Sequence, residues 1–329
     1  MEFQALVLEQ DNGKTRGAVR RLDESELPEG SVTVSVDYST LNYKDGLAIT
    51  GRAPIVRSWP MIPGIDFAGH VRASADQRFR AGDKVVLNGW GVGENRWGGL
   101  SQLARVPGDF LVPLPAALST RASMIVGTAG YTAMLCVQAL SRLGVQPASG
   151  EVLVTGANGG VGGFAISILA RRGFRVVAST GRLDESDRLR SLGAAEVIDR
   201  NTLAEKGKPL QKERWAAVVD SAGGHTLANA CASTKYGGVV TACGLAQSME
   251  LPATVAPFIL RGVTLAGIDS VNASYERRVA AWEALANELQ DADAARMLDR
   301  EIALAGAIDA AAELMDGRIK GRVLVNVNS

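Results

Sequence analysis

The segment EVLVTGANGGVGGFAISILARRG, residues 151 to 173, constrains the fold more than any other stretch of the chain. Residues 151–155 form an apolar run that reads as a buried strand, a glycine turn follows, and helical periodicity runs over about 160–172. Ala157, Gly159 and Gly162 fall at A-x-G-x-x-G spacing. At that spacing Gly159 and Gly160 let the backbone approach a pyrophosphate, which rests on the positive end of the following helix. Gly162 and Gly163 let that helix pack closely on the strand. The turn is expected to bind a dinucleotide through Ala157, Gly159, Gly160, Val161 and Gly162.

The strand–helix alternation continues beyond this unit. Further strands are predicted at 175–179, 195–198, 216–220, 238–242 and 263–268, with helices near 184–192, 224–234 and 252–261. Six strands with intervening helices predict an α/β fold with a doubly wound, parallel Rossmann sheet. The first 115 or so residues read differently. SVTVSVDYS alternates with period two, and KVVLNGW and FLVPLP are short apolar runs between glycine and proline turns. A barrel-like, β-rich domain is expected there. From Ser119 the sequence runs in helical period to Gly144. The tail carries a helix at 274–290, another at 307–316, and a last strand, GRVLVNV, which are expected to return to the first domain. The expected boundaries are therefore 1–122, 123–268 and 269–329.

Bulk properties narrow the function. Lys+Arg and Asp+Glu both total 35, so no global field favours nucleic acid or an anionic membrane. No apolar run approaches the roughly 18 residues expected of a membrane span. The N-terminal MEFQALVLEQ lacks a basic region and a cleavage site, so no signal peptide is expected. Cys136, Cys231 and Cys243 are widely spaced, as in a reducing, cytoplasmic setting, and are expected to fill small core positions. Two histidines, His70 and His225, supply few ligands for zinc, and both read as structural or solvated.

The second strand of the sheet ends in VVASTGR. In a dinucleotide fold an acid about 20 residues past the glycine turn accepts hydrogen bonds from the ribose hydroxyls. Here Ser179, Thr180, Gly181 and Arg182 stand in its place. Two hydroxyls, an open backbone and a guanidinium suit a 2′-phosphate, with Arg182 pairing to it bidentately. NADPH is thus the expected cofactor. Asp184 and Glu185 are expected to open a helix and point away.

STLNYKDGLAITGR and MIPGIDFAGHV, with GANGGVG and STGR, resemble the medium-chain dehydrogenase/reductase superfamily, and its zinc-free quinone-oxidoreductase branch more closely. Within that branch NYKDGLAITG, PGIDFAG and GWGVGENRWGGLSQ are similar to the acrylyl-CoA reductase (AcuI/YhdH-like) family, from QALVLEQ to GRVLVNV. The resemblance implies a GroES-like catalytic domain beside the Rossmann domain, an acyl-CoA thioester substrate and a homodimer. The dimer would form through the edge strand in GVTLAGIDSV. It also implies that no metal is held. Zinc-dependent relatives carry a cysteine near the Asn42–Asp45 turn and Gly-His-Glu where this chain has Gly64-Ile65-Asp66.

The implied reaction is hydride transfer to the β-carbon of acryloyl-CoA and protonation of the α-carbon, giving propionyl-CoA. The protein must align the carbons, stabilise charge on the carbonyl oxygen and supply the proton. A quinone or enone reductase of the same fold is the nearest alternative, and a non-catalytic NADPH-binding protein a distant one. By resemblance Tyr43 faces the nicotinamide. Its phenol positions the cofactor, donates the proton or packs in the core. Asn42 either orients the substrate carbonyl or holds the turn. Lys44 and Asp45 are expected to pair within the turn, with capping of a helix a second role for Asp45, and Asp66 to accept structural hydrogen bonds. Leu245 follows the fifth strand, and the resemblance places Leu245, Ile259 and Ser270 at the cofactor, with a core or cap role as the alternative for each. Arg318 is expected beside the same cleft. Arg52, Arg57 and Arg96 could hold coenzyme A phosphates or be plain surface charge.

Overall fold

A computed structural model describes residues 1–329. The chain forms two compact units, Met1–Thr128 with Val271–Ser329, and Ala129–Ser270. In chain order the first unit opens with β1 (Glu2–Asp11), β2 (Lys14–Asp23), β3 (Val32–Leu41), α1 (Tyr43–Thr50), β4 (Asp66–Ser74), β5 (Lys84–Asn88), β6 (Leu103–Val106) and β7 (Val112–Pro113). Helix α2 (Thr120–Arg142) runs out of it, with a break at Gly127.

The second unit contains β8 (Glu151–Val154), α3 (Gly160–Arg171), β9 (Arg175–Thr180), α4 (Ser186–Ser191), β10 (Ala194–Asp199) and α5 (Asn201–Ala204). It continues with β11 (Trp215–Asp220), α6 (Gly224–Ala232), β12 (Thr234–Ala242), α7 (Ala256–Arg261) and β13 (Thr264–Gly267). Its six strands lie in the order β10-β9-β8-β11-β12-β13, and every pairing is parallel. The order reverses at β8, which places the turn after β8 at the switch point where such sheets bind ligands. Val152, Leu153, Val176, Val177, Val218 and Val240 are fully buried, as expected of strands covered on both faces.

The tail, α8 (Tyr275–Glu288), α9 (Asp291–Ala295), β14 (Leu298–Ala303), α10 (Ala307–Met315) and β15 (Arg322–Asn326), belongs to the first unit. Its main sheet runs β14-β15-β3-β4-β5-β7, with β6 also on β3. Strand β15 therefore sits beside β3, and its first residue reaches the end of β3 where α1 begins. Behind this sheet Leu6, Val34, Phe67, Leu87, Ala307 and Val323 share one core.

Two sequence expectations need correction. Helix α2 is long and apolar enough to cross a membrane, contrary to the reading that no such run exists. Its most apolar window is 89% buried within the protein, so that apolarity is core packing. The helix is also not continuous. Gly127 adopts φ 51° and ψ −159°, and a Cβ there would lie 2.6 Å from Arg322 Nη2 and 3.0 Å from Asp66 Oδ2. Only glycine combines that backbone with that proximity.

Candidate active site

The glycine turn of the second unit comes from β8 running straight into α3. Gly159 is the N-cap of α3 and offers no side-chain cap, so the first N–H groups of the helix have no side-chain partner. Gly156 takes φ 59°, and a Cβ on it would collide with Ser221 Oγ. A Cβ on Gly162 would lie 2.7 Å from Ala157 Cα. The turn is therefore a backbone cradle with donors pointing outward, which suits a pyrophosphate.

The predicted residues at the end of β9 lie against this turn. Ala157 N donates to Ser179 O at 3.2 Å. Asn158 Nδ2 donates to Thr180 Oγ1 at 2.7 Å, and Arg182 N donates to the same oxygen at 3.0 Å. Ser179 Oγ is buried without a protein partner, as a donor to a bound ligand would be. Asp184 sits in a single 3-10 turn, Leu183–Glu185, ahead of α4.

Arg200 was missed by sequence reasoning. Its N–H donates to Thr180 O at 2.9 Å, and its Nε lies 2.6 Å from where a Gly181 Cβ would be. Gly181 thus leaves room for a second guanidinium over the backbone beside Arg182. No motif marks Arg200, because it follows the third strand and only the β9–β10 pairing brings it here. Ser221, also missed, links the turn to the loop carrying Leu245: Ser221 N donates to Thr155 Oγ1 at 3.1 Å, and Ala246 N donates to Ser221 O at 3.3 Å. Leu245 and Ile259 are 57% and 73% exposed, and Ser270 is the half-buried last residue of this unit. NADPH fits this set of residues: backbone donors and a helix N-terminus for the pyrophosphate, hydroxyls and two guanidiniums for a 2′-phosphate.

In the first unit Tyr43 is the first residue of α1 and is 52% exposed, while its neighbours Asn42 and Asp45 are buried polar residues. Asn42 is the N-cap. Its Nδ2 donates to Asp66 Oδ2 at 2.9 Å and its Oδ1 accepts from Arg322 Nη2 at 3.0 Å. One amide therefore bridges a carboxylate and a guanidinium, and both of its polar atoms face inward. Arg322 also donates to Thr40 Oγ1 and, through Nε, to Ile125 O. Asp66 Oδ2 accepts from Thr128 N at 2.7 Å, across the break at Gly127. Burial pushes Asp66 up and Arg322 down, and their mutual attraction opposes both shifts.

The expected Lys44–Asp45 pair does not form. Lys44 Nζ pairs with Glu94 at 2.8 Å. Asp45 is buried and accepts from Asn42 N, Gly64 N and Ile65 N at 2.9, 3.1 and 3.0 Å. Backbone donors, not an amine, hold this carboxylate: as the third residue of α1 it reaches back to the N-cap N–H, and the chain before β4 brings the Gly64 and Ile65 N–H groups to its other oxygen. Burial and, next, the neighbouring Asp66 push Asp45 up to about 7, against the hydrogen bonds from Asn42 and Ile65. The folded chain thus binds a proton here that the unfolded chain releases at an ordinary carboxylate pKa. Stability from this site should be complete below about pH 4 and decline as pH rises towards 7, then level off. Urea midpoints of the parent and Asp45→Asn across that range check this; equal pH slopes for the two would contradict it.

Other predicted groups are already engaged. Arg318 pairs with Asp316 at 3.1 Å, and Asp316 also takes Arg52 at 2.7 Å. The Arg96 guanidinium lies 5.3 Å from the Phe110 ring, and Arg57 is exposed. His70 faces Asp37. The three cysteines are free, Cys136 and Cys231 buried and Cys243 partly so.

Two family profiles match the chain, the alcohol dehydrogenase GroES-like domain over residues 28–116 and zinc-binding dehydrogenase over 160–287. The probable acrylyl-CoA reductase AcuI of Escherichia coli is 53% identical, covering 99% of this chain and all of the relative. Acrylyl-CoA reductase AcuI of Ruegeria pomeroyi is 51% identical with the same coverage. The chain belongs to the acrylyl-CoA reductase family of the medium-chain dehydrogenase/reductase superfamily. The yhdH oxidoreductase of Salmonella enterica, solved in complex with NADP, superposes with a TM-score of 0.97 at 52% identity, over 98% of this chain and 99% of that one. Zinc does not fit this acrylyl-CoA reductase family member: no three His, Cys, Asp or Glu side chains converge, and the buried Ile65 offers no ligand atom.

Proposed function

We propose that this chain reduces the carbon–carbon double bond of acryloyl-CoA to give propionyl-CoA, with NADPH as reductant and no metal. The observation that carries this reading is the full-length identity of 51–53% to acrylyl-CoA reductases. Arg182 after β9 and Arg200 after β10 support the choice of NADPH.

When bound, NADPH supplies the hydride that goes to the β-carbon. The chain's own work is to hold and to protonate. The turn from Ala157 to Gly162 and the N-terminus of α3 hold the pyrophosphate, and Ser179, Thr180, Gly181, Arg182 and Arg200 hold the adenosine end. Leu245, Ile259, Ser270 and Arg318 complete our proposed cofactor contacts. The Tyr43 phenol, exposed on a rigid buried base, offers an O–H to cofactor or substrate. Asn42 acts by fixing the start of α1, since its amide is spent on Asp66 and Arg322.

Tyr43→Phe should lower kcat by about tenfold or more while the fold is unchanged; steady-state rates and circular dichroism measure both, and unaltered kinetics would return Tyr43 to a packing role. The function itself is tested by following NADPH absorbance with acryloyl-CoA and, separately, with a quinone. Turnover of the quinone alone would move the chain to the quinone reductases, and binding without oxidation would make it non-catalytic.

We also infer a cytoplasmic homodimer. Strand β13 is an unpaired sheet edge, and Met249, Leu251, Val255 and Leu260 are 85%, 43%, 65% and 63% exposed in the same unit. An open edge with exposed apolar side chains is what pairing with a second copy would cover.

A further inference from the structure

Asn158 occupies the variable position of the glycine turn, yet its side chain is directed at the coenzyme-discriminating loop. It is 5% exposed. Its Nδ2 donates to Thr180 Oγ1 at 2.7 Å and reaches Arg182 O at 3.5 Å. Thr180 Oγ1 also accepts from Arg182 N at 3.0 Å, closing a two-residue hydroxyl turn around Gly181. Thr180 O receives the Arg200 N–H. One buried hydroxyl therefore sets the backbone from which Arg182 departs, and Asn158 is the side chain that holds that hydroxyl from the glycine turn.

We infer that Asn158 sets the preference for a 2′-phosphorylated coenzyme by positioning the Thr180–Arg182 turn, without itself meeting the phosphate. The inference rests on the NADPH reading above and adds a residue that the glycine motif leaves unspecified. An alanine at 158 keeps the A-x-G-x-x-G backbone but releases Thr180 Oγ1, so the turn carrying Arg182 loses its anchor. A coenzyme lacking the phosphate makes no use of that turn's guanidinium and should hardly notice.

Calorimetric titration of NADP+ and NAD+ into the full chain tests this, with Asn158→Ala, Arg182→Ala and the double variant beside the parent. Asn158→Ala should weaken NADP+ by about tenfold, the scale of one lost buried hydrogen bond, and NAD+ by less than about threefold. The double variant should bind NADP+ no more weakly than Arg182→Ala alone, because both changes remove one interaction. Equal weakening of both coenzymes, or full additivity with Arg182→Ala, would overturn the inference. Should Asn158→Ala not fold, Asn158→Leu and Asn158→Gln replace it: leucine, which cannot donate to Thr180 Oγ1, must lose the preference and glutamine, which can, must keep more of it, and equal preference in both overturns the inference. The parent titration separates the two claims, since a parent that favours NAD+ refutes the NADPH reading before any variant is compared.

Discussion

Arg182→Ala should weaken NADPH by about ten- to a hundredfold while NADH binding changes little, because charge-assisted hydrogen bonds to a phosphate contribute about 1.5–3 kcal/mol. The expectation comes from the end of β9, where hydroxyls and guanidiniums replace the usual acid. Arg200 tempers the loss. Its Nε lies over Gly181, so one cation remains when Arg182 is removed. Arg182→Ala with Arg200→Ala should therefore bring NADPH down to the affinity of NADH. Michaelis constants and fluorescence titrations with both coenzymes measure the effect. An equal loss for NADH would mean that Arg182 serves the pyrophosphate or the fold instead.

The second large effect is on stability. Asp66→Asn keeps the volume of the side chain but leaves Arg322 buried without its counter-charge. Breaking a buried ion pair from one side costs on the order of 3–5 kcal/mol, a large part of the roughly 5–15 kcal/mol of a typical domain. Here the two charges are joined through Asn42, and Thr128 N loses a carboxylate acceptor as well. Urea unfolding should show the free energy of unfolding fall by that amount, with a lower midpoint at unchanged slope. The change should also lower the pKa of Asp45, since Asp66 is one of the two causes that raise it. A loss below about 1 kcal/mol would mean that the cluster is hydrated or neutral and does not anchor the start of α1.

The nucleotide-binding unit was legible because strand, glycine turn and helix recur in one short run, and each element reports its own burial. The catalytic unit was less legible. Strand β2, KTRGAVRRLD, is polar along its length and packs little core, although Asn12-Gly13 before it is a strong hairpin signal. Helix α1 looked like a turn because it is eight residues long, although Asn42, Asp45 and Gly51 supply its cap, its acid and its stop. Strand β14, LDREIA, carries three consecutive charged residues and sits at a sheet edge. The buried cluster could not be read at all, since Asn42 and Arg322 lie 280 residues apart and meet only because β15 pairs with β3. Arg200 was hidden for the same reason: its role depends on which strand neighbours β9, not on local pattern.

Hydride delivery to a conjugated acyl thioester is the core of this account, and isotope transfer tests it most directly. With NADPH carrying deuterium at both C4 positions and acryloyl-CoA as acceptor, mass spectrometry should find propionyl-CoA with one deuterium on its β-carbon. Propionyl-CoA without label, or labelled coenzyme left unconsumed while acryloyl-CoA persists, would contradict it.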